Sequence, residues 1–524
     1  MFTLTEASKR TLQHSLRIIG AAIVVLLLGT PQAALADAGS GDVVTSDDID
    51  DLVRDRMQTH GIPGAAVAVV RGGEVVHLEG YGLADRSQGR PVEVDTPFLV
   101  GSVSKPFTSL AVYQLAREGE LSLDQPVAPL LSPIVEDPAV GFEDVTVDQL
   151  LSHTSGLSMA DGLAGTMKIH EGDDALQRRI QEIMSKPLKR PPGVEYEYSN
   201  AGAVLLAGVV EQVTGETFSE YLTDHVFTPL GMDRTFASLG HPAGGGLATG
   251  HRQWFGQWIA ADLPYDPAGV PNGYIASTAR DMAKFMQAHL NGEPADVMPF
   301  AAEQITSEPA NPTGWDIPLE SGHSTGWFVD QFGGHETVSH AGSLGHFTAH
   351  VVLAPGADQV GIAVLTNASA FVAAGHSGQY DLSLELTRLL LDAEPSPAEA
   401  GVLMTRVAPA AVWIGGLAVL VAAARSLVLR RRDPAVAKSR RGASSLLPSA
   451  GYVAAGLGVL LVAPLDAARH FYPDVGWGLT VSAWLAIGWG AACGILTIVA
   501  RRDARTDSST AVDSDEVKTM AEAR

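Results

Sequence analysis

The chain has 524 residues and a formal net charge of −24, room for one large domain with appendages. Residues 37–400 hold 49 acidic and 18 basic side chains, a balance of −31; such a surface repels nucleic acid and anionic lipid, and it excludes a polyanionic partner. The single cysteine, Cys493, excludes an internal disulfide, and it leaves the acidic region without a cysteine-based metal site or thiolate nucleophile.

The first 36 residues read as a secretory signal peptide. Lys9, Arg10 and Arg17 precede the apolar run 18–28, and Ala34-Leu35-Ala36 supplies an A-x-A cleavage site. An uncleaved N-terminal anchor is the alternative, and both readings place the following residues outside the membrane.

Ser46, followed by Asp47 and Asp48, marks a helix start, and Ile49, Leu52, Val53 and Met57 form its apolar stripe. Gly61-Ile62-Pro63-Gly64 ends that helix. Residues 65–70 and 74–81 are predicted strands, split by the hairpin signal Arg71-Gly72-Gly73. A short strand-like run at 98–101 meets a helix expected from Ser102 to about Arg117. Pro106 falls in its first turn, where a missing N–H costs little. The region 120–300 reads as mainly helical with Gly/Pro-containing loops, and one helix begins at Thr278 with Asp281 at capping-box spacing. Strands are expected at 327–330, 336–340, 347–353 and 360–365, and a helix near 382–391 closes the domain. Strands at both ends with helices between them predict an α+β domain over 37–392. One antiparallel sheet is built from both termini, with a helical half inserted. Residues 393–406, opening Ala393-Glu394-Pro395-Ser396-Pro397, read as a linker.

Three apolar runs follow, at 407–424, 446–465 and 479–500, each near the roughly 20 residues that cross a bilayer core. They predict three transmembrane helices over 407–500. Arg430, Arg431, Arg432, Lys438, Arg440 and Arg441 crowd the first connection. Arg501, Arg502 and Arg505 follow the third run, whereas the loop 466–478 has only Arg469. The positive-inside rule then makes the first connection and the tail 501–524 cytoplasmic and places 37–400 outside. The expectation is a multi-pass membrane protein with an extracytoplasmic domain; buried helices of a soluble protein are the alternative.

Three motifs carry chemistry. Ser102-Val103-Ser104-Lys105 is the chain's S-x-x-K, placed where a strand-like run meets a helix. Lys105, three residues on, shares a helical face with Ser102, and a buried amine can act as base once desolvation lowers its pKa. Tyr198-Ser199-Asn200 follows Pro191-Pro192-Gly193 and opens an apolar helix. His340-Ala341-Gly342 ends a strand-like run and meets Ser343-Leu344-Gly345. Each alone fits an ordinary structural role; together and in this order they form a joint signal. Two look-alikes fail on context. Gly322-His323-Ser324-Thr325-Gly326 matches a nucleophile elbow, but its flanks lack the required strand and helix. His335, Glu336 and His340 lack the i, i+4 histidine pair of a zinc helix, so no metal or cofactor is expected.

With these motifs the sequence resembles the serine β-lactamase and penicillin-binding family, in the branch of class C β-lactamases, D-alanyl-D-alanine carboxypeptidases and related esterases. Supporting segments are Gly80-Tyr81-Gly82-Leu83-Ala84-Asp85, Leu121-Ser122-Leu123-Asp124, Leu150-Leu151-Ser152-His153-Thr154-Ser155-Gly156-Leu157 and Ser277-Thr278. The resemblance spans about 46–390 and implies roles residue by residue. Ser102 is the nucleophile, and Lys105 and Tyr198 share the proton work. Asn200 bonds the substrate or Lys105, and the N–H groups of Ser102 and Ser343 form the oxyanion hole beside His340 and Gly342. One departure matters: lactamases commonly carry Lys-Thr-Gly where this chain has His340-Ala341-Gly342, which favours an ester or peptide substrate over a β-lactam. The expected partners are a small-molecule or peptide substrate and the membrane, with no nucleic acid; the oligomeric state is not readable. A non-catalytic binding or sensor module at the membrane is the competing function.

Overall fold

The computed structural model of the chain describes residues 44–166, 168–238, 246–262, 264–292, 323–324, 326–357, 359–369 and 378–393. In the C-terminal segment it describes 411–417, 421, 447–462, 465, 469, 474–495 and 498–499. The expected signal peptide, the basic connection at 430–441 and the tail lie outside the described residues, as does almost all of the linker.

Helix α1 (Ser46–His60) starts at the expected Ser46, with Thr45 as the N-cap in a reciprocal capping box with Asp48. Gly61, at φ +65°, ends it. Strands β1 (Gly64–Arg71) and β2 (Glu74–Asp85) form the expected hairpin. Gly72 and Gly73 sit at φ +57° and +82°, the backbone that a tight hairpin turn demands. β3 (Arg90–Pro91) edges the sheet, and β4 (Phe98–Leu99) leads into helix α2 (Ser104–Glu118). The helical half includes α3 (Ala175–Met184) and α4 (Asn200–Thr214).

Three small strands appear in the region expected to be mainly helical with loops: β5 (His251–Trp254), β6 (Gln257–Ala260) and β7 (Ala276–Ser277). They are two to four residues long, too short to print an alternation on the sequence. Helix α5 (Ala279–Asn291) is capped by Thr278, as its Thr-x-x-Asp spacing predicts. After β8 (His323–Ser324) come β9 (Trp327–Phe332), β10 (His335–Leu344), β11 (Phe347–Ala354), β12 (Val360–Thr366), β13 (Ala368–Ser369) and helix α6 (Gly378–Leu390).

The main sheet has eight strands in the order β3-β2-β1-β12-β11-β10-β9-β8, with antiparallel neighbours. The first and last thirds of the domain therefore meet at β1–β12, where Ala65 pairs with Thr366 and Arg71 with Val360. β11 and β12 are buried at every position and β1 at all but its last, because both faces of the sheet are covered. Gly361 faces Met286 and Leu290 of α5. His350 is of opposite parity and donates to or accepts from Ser383 of α6 at 2.6 Å. That double burial explains their continuous apolar sequence, without alternation.

One ion pair holds the helical half to the loop before α5. Arg179 of α3 and Asp266 are 1% and 0% exposed and meet at 2.9 Å. The Asp266 carboxylate also accepts from the backbone N–H groups of Ala268 and His170. Burial pushes its pKa up, and Arg179 opposes that shift.

In the C-terminal segment, one helix among the described residues, α8 (Asp474–Ile495), is long and apolar enough to cross a membrane. The first expected span is described only at 411–417 and 421. The second is described as helix over α7 (Leu447–Val462), with Leu465 and Arg469 also helical.

Removing one partner of a fully buried pair leaves the other charge uncompensated. Asp266→Ala should lower the unfolding free energy by about 3–5 kcal/mol. Denaturant titration measures this, and a loss below about 1 kcal/mol, the size of an exposed pair, would contradict it.

Candidate active site

The site is built where β4, α2, the start of α4 and β10 converge. Val100 sits at φ −90°, ψ 0°, in the sparsely occupied bridge region. Gly101 follows at φ +56°. This tight corner delivers Ser102 on a 3-10 turn (Gly101–Val103), not on the regular helix expected, and α2 begins only at Ser104. A side chain at Gly101 would come within 2.7 Å of Ser343 N, and one at Gly342 within 2.9 Å of Ser102 N. Both glycines are therefore needed for the corner to lie against β10.

Lys105 is 3% exposed, and its Nζ lies 3.1 Å from Ser102 Oγ and 3.1 Å from the backbone carbonyl of Asn272. Burial pulls its pKa well below the ordinary value of 10.5. A carbonyl can only accept, so the amine donates to Asn272 O. Once it has lost its proton, the amine has a lone pair facing the Ser102 hydroxyl. The turn bearing Asn272 is fixed to α2 by two further bonds. Thr108 Oγ1 donates to Pro271 O at 2.7 Å, and Ile275 N–H donates to Ser104 Oγ at 3.2 Å.

Tyr198 completes the triangle. Burial raises its phenol pKa, and a hydrogen bond with Ser102 opposes that rise. Its ring lies 4.8 Å from Lys105 Nζ. Desolvation thus drives amine and phenol in opposite directions toward the same end, an uncharged pair flanking the serine. The Tyr198 ring packs against His153 at 4.6 Å between centroids, and it lies 6.2 Å from Phe328 and 6.4 Å from His340. Asn200, two residues on, is half-buried and is the first residue of α4. Ser199 caps that helix by accepting from Ala201 N–H.

β10 carries the remaining candidates past the point where the sequence ends its strand. His340, Gly342 and Ser343 pair with Val351, Ala349 and Thr348, and pairing continues to Leu344. His340 is 1% exposed, its Nδ1–H donates to Ala341 O at 2.9 Å, and its ring stands 5.2 Å from Phe328. The Ser343 hydroxyl meets that of Ser369 at 2.8 Å. The structure therefore brings Ser102, Lys105, Tyr198, His340, Gly342 and Ser343 together, with Asn200 at the head of the adjoining helix.

Sequence reasoning missed three contributors. Asn272 acts through its backbone, and its only signal is the turn-forming triplet Pro271-Asn272-Gly273. Phe328 reads as an ordinary strand aromatic. His153 lies in a segment noted only as supporting, and its φ of +57°, costly for a side chain of that size, is invisible in sequence. Both look-alikes resolve as expected on geometry. Ser324 lies in β8, followed by β9 instead of a helix. His335 is exposed whereas His340, an odd number of residues along the same strand, is buried.

The beta-lactamase family profile matches residues 49–383. The chain belongs to the beta-lactamase family. Among curated relatives it is 27% identical over 329 residues to Protein flp of Staphylococcus aureus (strain MW2), covering 61% of this chain and 62% of that protein. It is 33% identical over 247 residues to penicillin-binding protein 4 of Amycolatopsis lactamdurans, covering 45% of this chain and 62% of that protein. The chain thus spans under two thirds of the length of these relatives. The octameric penicillin-binding protein homologue from Pyrococcus abyssi superposes with a TM-score of 0.57 at 24% identity, over 69% of this chain and 81% of that one. A class C beta-lactamase superposes with a TM-score of 0.53 at 22% identity, over 67% and 97%. At those identities the structures attest the fold: a β-lactamase-like α+β domain.

Burying a lysine amine costs stability. Between its lowered folded pKa and 10.5 the unfolded state holds a proton at Lys105 that the folded state has released, so the destabilisation is present at lower pH and fades as pH rises through 10.5. Lys105→Met should raise Tm at pH 7 by at least roughly 2–4 °C, the effect of one kcal/mol in a domain of this order. The gain should shrink toward pH 10.5. Calorimetry showing an unchanged or lower Tm at pH 7 would contradict an amine whose pKa burial has lowered.

Proposed function

We propose that the chain is an exported, membrane-anchored serine hydrolase that cleaves small esters or peptides through an acyl-enzyme on Ser102. The observation that carries the reading is the buried Lys105 amine, 3.1 Å from Ser102 Oγ and tethered to Asn272 O. In this reading Lys105 takes the Ser102 proton as Oγ attacks the substrate carbonyl. Tyr198, kept as a neutral phenol, passes a proton to the leaving group, and water then reverses the sequence to release the acid. The N–H groups of Ser102 and Ser343, brought side by side by the Gly101 and Gly342 contacts, hold the developing oxyanion; such a donor typically contributes about 10²–10³ in rate.

His340 supports the choice of substrate. It occupies the position where lactamases commonly hold lysine, and it sits among Phe328 and Tyr198 rather than offering a permanent cation. An ester or peptide without an obligatory carboxylate suits that wall better than a β-lactam. EstCE1, a hydrolase with promiscuous acyltransferase activity, shares the fold with a TM-score of 0.54 at 23% identity, covering 65% of this chain and 98% of that one. Anchoring is supported by α8, and the positive-inside reading of the basic connections in the sequence favours a domain outside the cell and a tail inside.

Full-length protein in detergent, treated with a fluorophosphonate and digested, should show one adduct on the peptide bearing Ser102, absent in Ser102→Ala. Tyr198→Phe should slow turnover by about 10²–10⁴-fold. In a panel of p-nitrophenyl esters, a D-Ala-D-Ala peptide and nitrocefin, kcat/KM should be lowest for nitrocefin. No adduct on Ser102, or nitrocefin as the best substrate, would contradict the reading.

A further inference from the structure

The hairpin β5–β6 is joined by Phe255-Gly256, with Trp254 paired to Gln257. Phe255 and Gly256 have φ of +49° and +75°. A two-residue turn with both residues left-handed ordinarily carries Asn-Gly. A bulky aromatic at its first position is an outlier that the surrounding structure must hold in place, and what holds it is the membrane segment. The Phe255 N–H donates to Asp474 Oδ2 at 2.8 Å. Asp474, 5% exposed, is the first residue of α8, the candidate span. The indole N–H of Trp413 donates to Asp474 O at 2.8 Å, and its ring lies 6.2 Å from that of Phe255.

The same end of α8 has the composition of a membrane–water boundary. Trp477 is 47% exposed with the Arg469 guanidinium 5.2 Å over its ring. Further along, Trp484, Ile495 and Ile498 are each more than half exposed. Aromatic rings gather at the headgroup level, and exposed aliphatics beyond them face acyl chains. Around this helix the other segments pack through small residues. A side chain at Gly478 would meet Trp413 within 2.9 Å, and one at Gly456 would meet Ile487 within 2.7 Å. On the hairpin itself Phe255 and Ile259 are 39% and 46% exposed, apolar groups on a domain whose charge would otherwise keep it off a lipid surface.

Resting on the membrane-anchored reading, we propose that the β5–β6 hairpin is the membrane-seating edge of the catalytic domain. Phe255 and Ile259 enter the headgroup–acyl boundary of the outer leaflet beside Trp413 and Trp477. The partner is the lipid surface, and the attraction is apolar. The seat is also close to the chemistry: β5 pairs with β13, whose Ser369 hydroxyl bonds that of Ser343. Seating the hairpin therefore fixes how the cleft stands above the membrane.

Full-length protein carrying Cys493→Ser, so that an introduced cysteine is unique, would be labelled with the environment-sensitive fluorophore NBD and placed in phosphatidylcholine nanodiscs with or without doxyl-labelled lipid. Three further variants are compared, each with a melting transition like that of the parent: Ile259→Cys on the hairpin, Val140→Cys on an exposed loop, 78% exposed, and Trp484→Cys within the span. The expected result is blue-shifted emission and loss of fluorescence to doxyl lipid at 259 and 484, with neither at 140. Quenching at 484 with water-like emission at 259 would overturn the seating while leaving the anchor intact. Blue-shifted but unquenched emission at 259, the sign of contact with protein such as a second copy of the chain, would also overturn it. Absence of quenching at both positions would remove the anchor itself, and none of these outcomes depends on Ser102 chemistry.

Discussion

The structure turns on one desolvated amine. Lys105 lies inside α2, whose residues Ser104–Leu115 are all buried, and its Nζ spans the gap between Ser102 Oγ and Asn272 O. Placing an ammonium there would cost several kcal/mol. Burial therefore pulls the Lys105 pKa well down and favours the uncharged amine beside the Ser102 hydroxyl. Much of the surrounding architecture serves that placement. The double-sided burial of β1, β11 and β12 gives a rigid floor. Gly101 and Gly342 let the serine corner touch β10, and the turn at 270–274 is stitched to α2 so that a single carbonyl meets the amine. The Arg179–Asp266 pair anchors the segment leading into that turn.

Tyr198 is the second half of the same electrostatic device. A phenol and an amine are ordinarily charged at opposite ends of the pH scale, and burial moves each toward the neutral form. The cleft therefore has little fixed charge at the reacting centre, set within a domain that is otherwise strongly acidic. His153, Phe328 and His340 surround it with rings.

The sheet and the residues that converge at the candidate site were legible because their signals are local. The two-glycine hairpin, the Thr278 cap and the S-x-x-K spacing each express a short-range geometric requirement, and burial on both sheet faces appears as unbroken apolar runs. What was illegible depends on tertiary partners. The Asn272 carbonyl has no side-chain signature. β10 continues through Gly342 to Leu344 because β11 pairs with it, although the glycine and serine residues read as a turn. β5 and β6 are too short to show a period, yet their connecting Phe255 meets the C-terminal segment. There, α8 is the helix among the described residues that is long and apolar enough to span.

The pH dependence of the acylation step itself tests the account most directly. Rapid mixing of the full-length protein with a fluorophosphonate, following Ser102 modification in a single turnover, isolates proton removal from later hydrolysis. The account predicts a rate that falls on acidification through one ionisation well below 10.5, and this ionisation disappears in Lys105→Ala along with most of the rate. A rate independent of pH, or one whose ionisation persists unchanged in Lys105→Ala, would contradict it.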